Sequence, residues 1–241
     1  MLNYHSYETF STQDWPWIRM VFFLQWCPFR CLYCQNPDTI STDKNKLISR
    51  EKILRLAYKE KEYFWKKWWV TFSWWECLLQ IKELIPVLKL LKANWIGTCL
   101  DTNGFLLNDD VKEALKYTDH VLPDIKWMTL QLHKKMTWVS TSTPLDFIRY
   151  IDELWMNYWI RYVVVPWLTD KEVDIKNLWE FIQTLKNFQK INLLPYHTMG
   201  VSKWEKLWWE YPLKWIPAAT NNDIQKVKEI LAKYVDSELI Q

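Results

Sequence analysis

The sequence predicts an α/β fold, a partial (β/α)6 barrel, within a single domain spanning residues 1–241. Three observations lead there. Short apolar runs alternate with stretches of helical periodicity along the whole chain. Alternation of this kind builds a parallel sheet with helices outside it. About six such units fit the chain, too few for a closed eight-stranded barrel.

The elements follow in order. Residues 19–24 (Arg-Met-Val-Phe-Phe-Leu) form a short apolar run, read as the first strand. Residues 50–64 place Ile53, Leu54, Ala57 and Tyr58 at helical spacing. A strand is expected at 70–73 and a strong helix at 78–91, with Pro86 bending it or marking a first turn. Residues 96–101 read as a strand closed by Thr102-Asn103-Gly104, and 109–117 as a helix whose acidic start suits the dipole. A strand at 120–125 and a helix at 144–154 come next. The β-branched run at 159–165, stopped by Pro166, is the clearest buried strand. A helix at 171–187, a strand at 191–196 and a helix at 222–234, capped by Asn222 or Thr220, complete the pattern. Residues 199–220 show no periodicity and read as a long irregular loop.

Composition excludes several classes. A chain of 241 residues with 49% hydrophobic and 24% charged residues is neither disordered nor collagen-like, and it can bury a large core without disulfides. A dispersed net charge of +3 gives no argument for nucleic acid. No apolar run reaches the roughly 18 residues that a membrane helix needs. Glu8 and Asp14, with no basic-then-apolar order, predict no secretory signal. Three of the five cysteines cluster, which favours metal binding over a disulfide framework and implies a reducing, cytoplasmic location. One feature is abnormal. Average usage would give about 17 glycines; the chain has 3, with 19 tryptophans. The tryptophans fall where turn chemistry asks for glycine.

Cys27-Pro-Phe-Arg-Cys31-Leu-Tyr-Cys34 follows the first strand, where the site of such a fold belongs. Three thiolates on one short loop can hold a four-iron cluster with one iron left open, or a zinc ion completed by Cys77, Cys99 or a histidine. Spacing alone leaves both readings standing. Cys77 and Cys99, in a helix start and a strand, read by default as buried structural cysteines.

The three-cysteine spacing, with Tyr33 just before the last cysteine, resembles the signature of radical S-adenosylmethionine (SAM) enzymes. Further motifs are similar to those of one subgroup, the enzymes that activate pyruvate formate-lyase. They are residues 10–19 (Phe-Ser-Thr-Gln-Asp-Trp-Pro-Trp-Ile-Arg), Val70-Thr-Phe-Ser-Trp-Trp-Glu76, Cys99-Leu-Asp-Thr-Asn-Gly104, Asp124-Ile-Lys126, residues 159–166 and Leu193-Leu-Pro-Tyr-His197. The resemblance covers nearly the whole chain.

The resemblance implies a 4Fe–4S cluster on Cys27, Cys31 and Cys34, with SAM chelating the open iron. Reduced flavodoxin would supply one electron, and the 5′-deoxyadenosyl radical would take hydrogen from a glycine of pyruvate formate-lyase. It places Tyr33, Cys34 and Gln35 beside adenine, and Trp74, Trp75 and Glu76 at the SAM amino group. Asp124, Ile125 and Lys126 would reach the ribose or methionine part, and His197 the adenosine. Asp101, Thr102 and Asp124 would share a monovalent cation, although the family's methionine there is Leu122 in this chain. Asp14 and Arg161 would meet the partner's glycine loop. Other readings are a radical SAM enzyme with a small-molecule substrate, a non-catalytic metal protein and an altered, inactive chain. Taken singly, Asp101 and Asp124 can be turn formers, Lys126 a solvated lysine, His197 a structural histidine and Arg161 an ordinary ion-pair partner.

Trp15, Trp17, Trp26, Trp68, Trp69, Trp74, Trp75 and Trp167 stand at glycine positions of the family pattern, and Trp95 and Trp155 at turns. Overpacking costs about 1–3 kcal/mol per site, so eight sites, if additive, total roughly 8–24 kcal/mol and reach or exceed the roughly 5–15 kcal/mol that holds a domain together. The expectation is a chain impaired in folding, or in activity at Trp74-Trp75.

Overall fold

The computed structural model describes residues 1–12, 18–40, 46–60, 69–73, 76–139 and 142–241. The strands are β1 (Leu2–Ser11), β2 (Arg19–Leu24), β3 (Leu47–Ile48), β4 (Trp69–Ser73), β5 (Gly97–Thr102), β6 (His120–Pro123), β7 (Ile160–Val164) and β8 (Ile191–Pro195). The helices are α1 (Arg50–Lys59), α2 (Ile81–Ala93), α3 (Asp109–Leu115), α4 (Leu130–Thr137), α5 (Thr143–Glu153), α6 (Glu172–Ile182), α7 (Val201–Lys206) and α8 (Asn221–Leu231).

One sheet has the order β3-β1-β2-β4-β5-β6, and β7 pairs with β8. Parallel bridges Val121↔Tyr158 and Asp124↔Arg161 continue the order from β6 to β7. Strands β2, β4, β5 and β6 run parallel, as do β7 and β8. These are the six expected strands, in the expected order, forming the partial barrel. Every residue of β2 is buried, as a parallel strand covered on both faces should be. Phe22, Phe72, Leu100, Val121, Ile160 and Ile191 from the strands meet Ile53, Leu88, Phe147, Leu178 and Val227 from the helices in one core.

The differences from expectation have local causes. The polar, half-exposed β1 pairs antiparallel with β2 and β3 at the edge, and its weak alternation hid it. Helix α4 is short and carries His133, Lys134 and Lys135; Thr129 starts it by accepting from the Leu132 amide at 3.3 Å. The helix expected at 78–91 begins as a 3₁₀ turn at Cys77–Gln80, and Pro86 lies inside α2 rather than at its first turn. Helix α6 stops at Ile182 rather than 187, and α7 forms inside the supposed loop at 199–220. Thr220 caps α8 in a reciprocal capping box with Asp223. No helix among the described residues is long and apolar enough to cross a membrane.

Candidate functional site

A cavity of about 260 Å³ opens at the carboxyl ends of the strands. Among the described residues, every parallel strand except β4 sends residues into its wall. The loop after β2 gives Cys27, Cys31, Tyr33, Cys34, Gln35 and Asn36; β5 gives Asp101, Thr102 and Asn103; the end of β6 gives Asp124 and Lys126. Arg161 and Val163 come from β7, and Leu194 to His197 from the end of β8. Strand ends converge there because parallel strands all point their carboxyl termini the same way. A wider groove of about 750 Å³ between α1 and α2 is larger, but Arg50, Leu54, Tyr58, Pro86 and their neighbours bring no convergent chemistry to it.

The cysteine loop is held from below. The Arg30 guanidinium donates to the Cys27 carbonyl at 2.8 Å and the Phe29 carbonyl at 3.1 Å. The Arg30 and Leu32 amides donate to the carbonyls of Thr137 and Met136 at the end of α4. All three thiols are half-buried. Burial pushes the Cys31 thiol up to about 12, with the positive Lys126 opposing, and burial raises Cys27 as well. Asn103 Nδ2 donates to Cys27 Sγ at 3.7 Å. Buried thiols become thiolates when a cationic centre replaces their protons, so this donor set fits an iron centre.

The geometry bears on which groups could complete a zinc site. A structural zinc draws its ligands to about 2.0–2.3 Å of one point. No three Cys, His, Asp or Glu side chains among the described residues converge in that way. Cys77 donates to the Asp101 carbonyl at 3.6 Å, and Cys99 packs against Leu122; neither lines the cavity. The three loop thiols and His197 line one cavity, while Cys77 and Cys99 are removed as groups that could complete a zinc site there.

Opposite the thiols lies a charged network. The Arg161 guanidinium joins Asp101 and Asp124, with Nε to Asp124 Oδ1 at 3.1 Å. Lys126 Nζ holds the other Asp124 oxygen at 2.9 Å and sits 5.7 Å from the Tyr33 ring centre. Ser73 donates to Asp101 Oδ2 at 2.5 Å. Burial pushes Asp124 up, but Arg161 and Lys126 outweigh it and hold the carboxyl below its usual range.

Eleven of the residues expected at the site therefore share one cavity wall: Cys27, Cys31, Tyr33, Cys34, Gln35, Asp101, Thr102, Asp124, Lys126, Arg161 and His197. Two do not line it. Ile125 points into the apolar core, as its place beside alternating polar neighbours dictates. Glu76 is spent on two backbone amides and one hydroxyl: Oε1 accepts from the Leu78 amide at 2.9 Å and Thr102 Oγ1 at 2.5 Å, and Oε2 from the Asn103 amide at 2.9 Å. Burial lifts its carboxyl to about 7 against those three donors. Asp14, Trp74 and Trp75 lie outside the described residues. Asn36, Asn103, Val163, Leu194, Pro195 and Tyr196 also line it and were missed; lying at strand ends, or just after the last cysteine, was their signal.

The comparisons agree with this geometry. The radical SAM superfamily profile matches residues 21–178. The pyruvate formate-lyase-activating enzyme of Clostridium pasteurianum is 38% identical over 233 residues, covering 96% of this chain and 98% of that protein. The pyruvate formate-lyase 1-activating enzyme of Escherichia coli K12 is 36% identical over 233 residues, covering 95% of each. The crystal structure of a domain of pyruvate-formate lyase-activating enzyme from Bacteroides vulgatus superposes with a TM-score of 0.57 at 27% identity, covering 68% of this chain and 93% of that one. That superfamily implies a 4Fe–4S cluster and SAM. Three thiols facing a charged cavity at the strand ends, together with near full-length similarity, place this chain in the radical SAM superfamily, within the family of pyruvate formate-lyase-activating enzymes.

Proposed function

We propose that residues 1–241 act as one unit that generates a glycyl radical on pyruvate formate-lyase. The observation that carries this is the shared cavity, where three loop thiols face Asp124, Lys126, Arg161 and His197 from three other strands. Cys27, Cys31 and Cys34 would hold a 4Fe–4S cluster, which when bound delivers an electron to SAM. A reduced flavodoxin is the electron donor in this reading, and a reducing cytoplasm the compartment.

The protein's own task is placement and exclusion of water. Tyr33 and Gln35 border the adenine, with His197 across from them. Lys126 offsets the SAM carboxylate, and Asp124 accepts from a ribose hydroxyl or the amino group. The segment Trp74-Trp75-Glu76 would meet the amino group. Asp101, Thr102 and Asp124 offer hard oxygens to a monovalent cation. Arg161 supplies the positive charge between those carboxylates. The partner's glycine loop would have to enter the cavity to reach Arg161, which is 7% exposed, and Asp14 would meet the same loop.

The test is electron paramagnetic resonance of the anaerobically reconstituted, reduced protein with and without SAM, followed by the glycyl radical signal on added pyruvate formate-lyase. Iron with sulfide, a SAM-dependent spectral change and the glycyl doublet are expected. Zinc without sulfide, or wild-type loading after Cys31→Ser, overturns the reading.

A further inference from the structure

The open side of a partial barrel leaves its first and last strands unpaired with each other. Here side chains span that gap. Gln35 Nε2 donates to the His197 carbonyl at 2.6 Å, and its Oε1 accepts from the Gly200 amide at 2.7 Å. Lys203 bonds Asn36 Oδ1 and lies 3.7 Å from Asp38. Trp204, almost buried on α7, donates its indole N–H to the Cys34 carbonyl at 2.8 Å. Gly200 sits so close that a Cβ there would stand 2.6 Å from the Gln35 backbone. We propose that residues 197–204 are a clasp and that Trp204 is a positioning residue, fixing the peptide that carries the third thiol. The role in catalysis rests on the function proposed above; the clasp itself does not. Its test is therefore hydrogen exchange in the metal-free chain, comparing Trp204→Phe, which keeps the ring and removes the donor, with Gly200→Ala. Exchange across residues 31–36 should quicken roughly 3–10-fold, with β4 to β6 unchanged. In the cluster-loaded protein, Trp204→Phe should shift the cluster's midpoint potential while retaining its iron. Unchanged protection of 31–36 in both variants overturns the clasp. Altered protection with an unmoved potential confines Trp204 to structure and overturns its positioning role.

Every non-glycine residue with a left-handed φ among the described residues is a tryptophan: Trp26, Trp95, Trp138, Trp155, Trp167 and Trp208, at φ between 55° and 81°. Four of them occupy the glycine place of a helix C-terminus. After α2, the Ile96 amide bonds the Leu91 carbonyl and the Trp95 amide the Lys92 carbonyl. After α5, Met156 bonds Ile151 and Trp155 bonds Asp152; after α7, Trp209 bonds Trp204 and Trp208 bonds Glu205. These are complete Schellman motifs, and Trp138 closes α4 by a single bond to Lys134. Trp167 follows Pro166 where Leu168 bonds back to Val165, the place a type II turn gives to glycine. The indoles return little: Trp95 is 93% and Trp208 95% exposed, and the buried Trp26 Nε1 has no hydrogen-bond partner.

From this we infer that the working chain carries glycine at these six positions, and at 74 and 75, because the codon there is UGA read as glycine. UGA is read as tryptophan in some variant genetic codes and as glycine in others, so one wrong assignment writes tryptophan wherever UGA stands for glycine. Trp204, with a right-handed backbone and a satisfied indole, belongs to the other class. The gene should therefore show UGA at all six left-handed positions and UGG at 204. Peptide masses of the protein isolated from its own cells should show glycine at 95, 155, 167 and 208. UGG at those positions, or peptides of tryptophan mass, overturns the inference.

Discussion

Helix α4 starts on a side chain suited to its place and ends on one that is not. Thr129 accepts from the Leu132 amide at its start, whereas Trp138 holds the left-handed residue at its end. The contrast runs through the molecule. Ser49 and Asn108 begin α1 and α3 by accepting from the third amide onward, and Thr220 begins α8 with a full capping box. The ends of α2, α5 and α7 all carry tryptophan. N-caps call for Ser, Thr, Asp or Asn and C-caps for glycine; α2 and α6 start on Gln80 and Lys171 with no side-chain cap bond, but every left-handed non-glycine place among the described residues is held by tryptophan. The misfit is thus specific to one residue type rather than a general loosening of the fold.

The sharpest way to break that contrast is to restore glycine at all six left-handed positions. A left-handed residue with a Cβ costs about 1–2 kcal/mol, so six well-separated sites amount to roughly 6–12 kcal/mol. Denaturant unfolding of the six-fold variant should show a stability gain of that order at unchanged slope. A gain below that of a single site would mean that the backbone relaxes around each indole, and the contrast between the two helix ends would lose its energetic content.

How far the sequence could be read follows the same division. All six parallel strands were legible because each is a short apolar run between helical patterns. The cysteine loop, Asp124, Lys126 and Arg161 were legible because strand ends carry the chemistry. Several of the misfit tryptophans were legible too, since Trp26 and Trp167 stand where the family pattern has glycine and Trp95 and Trp155 at recognisable turns. Trp138 and Trp208 were not, because the helices they terminate, α4 and α7, are short and lack strong periodicity. Strand β1 was hidden by its half-exposed, polar faces. The spent carboxylate of Glu76 was hidden because a motif gives a residue's type and not its hydrogen-bond partners.

A second test asks whether the pocket wall is as well formed as the helix starts. Arg161→Met leaves Asp101 and Asp124 buried, with Lys126 as the remaining cation on Asp124. Removing one partner from a buried ion network costs about 3–5 kcal/mol. The exposed pair Arg149–Asp146 should give less than about 1 kcal/mol in Arg149→Met. Equal losses would place the network in solvent and remove the reason to treat the wall as preorganised.

His120, in β6, probes the interior by pH. Burial pushes its imidazole down to about 3, well below its ordinary value. The unfolded chain therefore takes up a proton that the folded chain refuses. The contribution is fully present above about pH 6.5 and is lost as the pH falls towards 3. His120→Gln should flatten the stability profile across that window, by up to about 5 kcal/mol at its acid end. An unchanged acid limb would mean that the ring is reached by water, and that β6 is looser than its burial implies.

The smallest effect expected is at the best-made helix start. Thr220 Oγ1 accepts from the Asp223 amide at 3.3 Å, and the Asp223 carboxylate accepts from the Thr220 amide at 2.7 Å. Thr220→Ala removes one of these bonds and should cost about 1 kcal/mol, with Thr220→Ser nearly neutral. The Asp223 carboxyl lies below its usual range because the Thr220 hydroxyl and amide both donate to it. The capping contribution should therefore be present above the ordinary aspartate range and fade as the pH falls through the lowered value. Measured on the six-fold glycine chain, the cost should be the same as on the parent, because the two helix ends share no partner. A cost that differs between the two backgrounds would show that strain at the C-terminal turns is felt at the N-caps, and the two ends would have to be treated as one system.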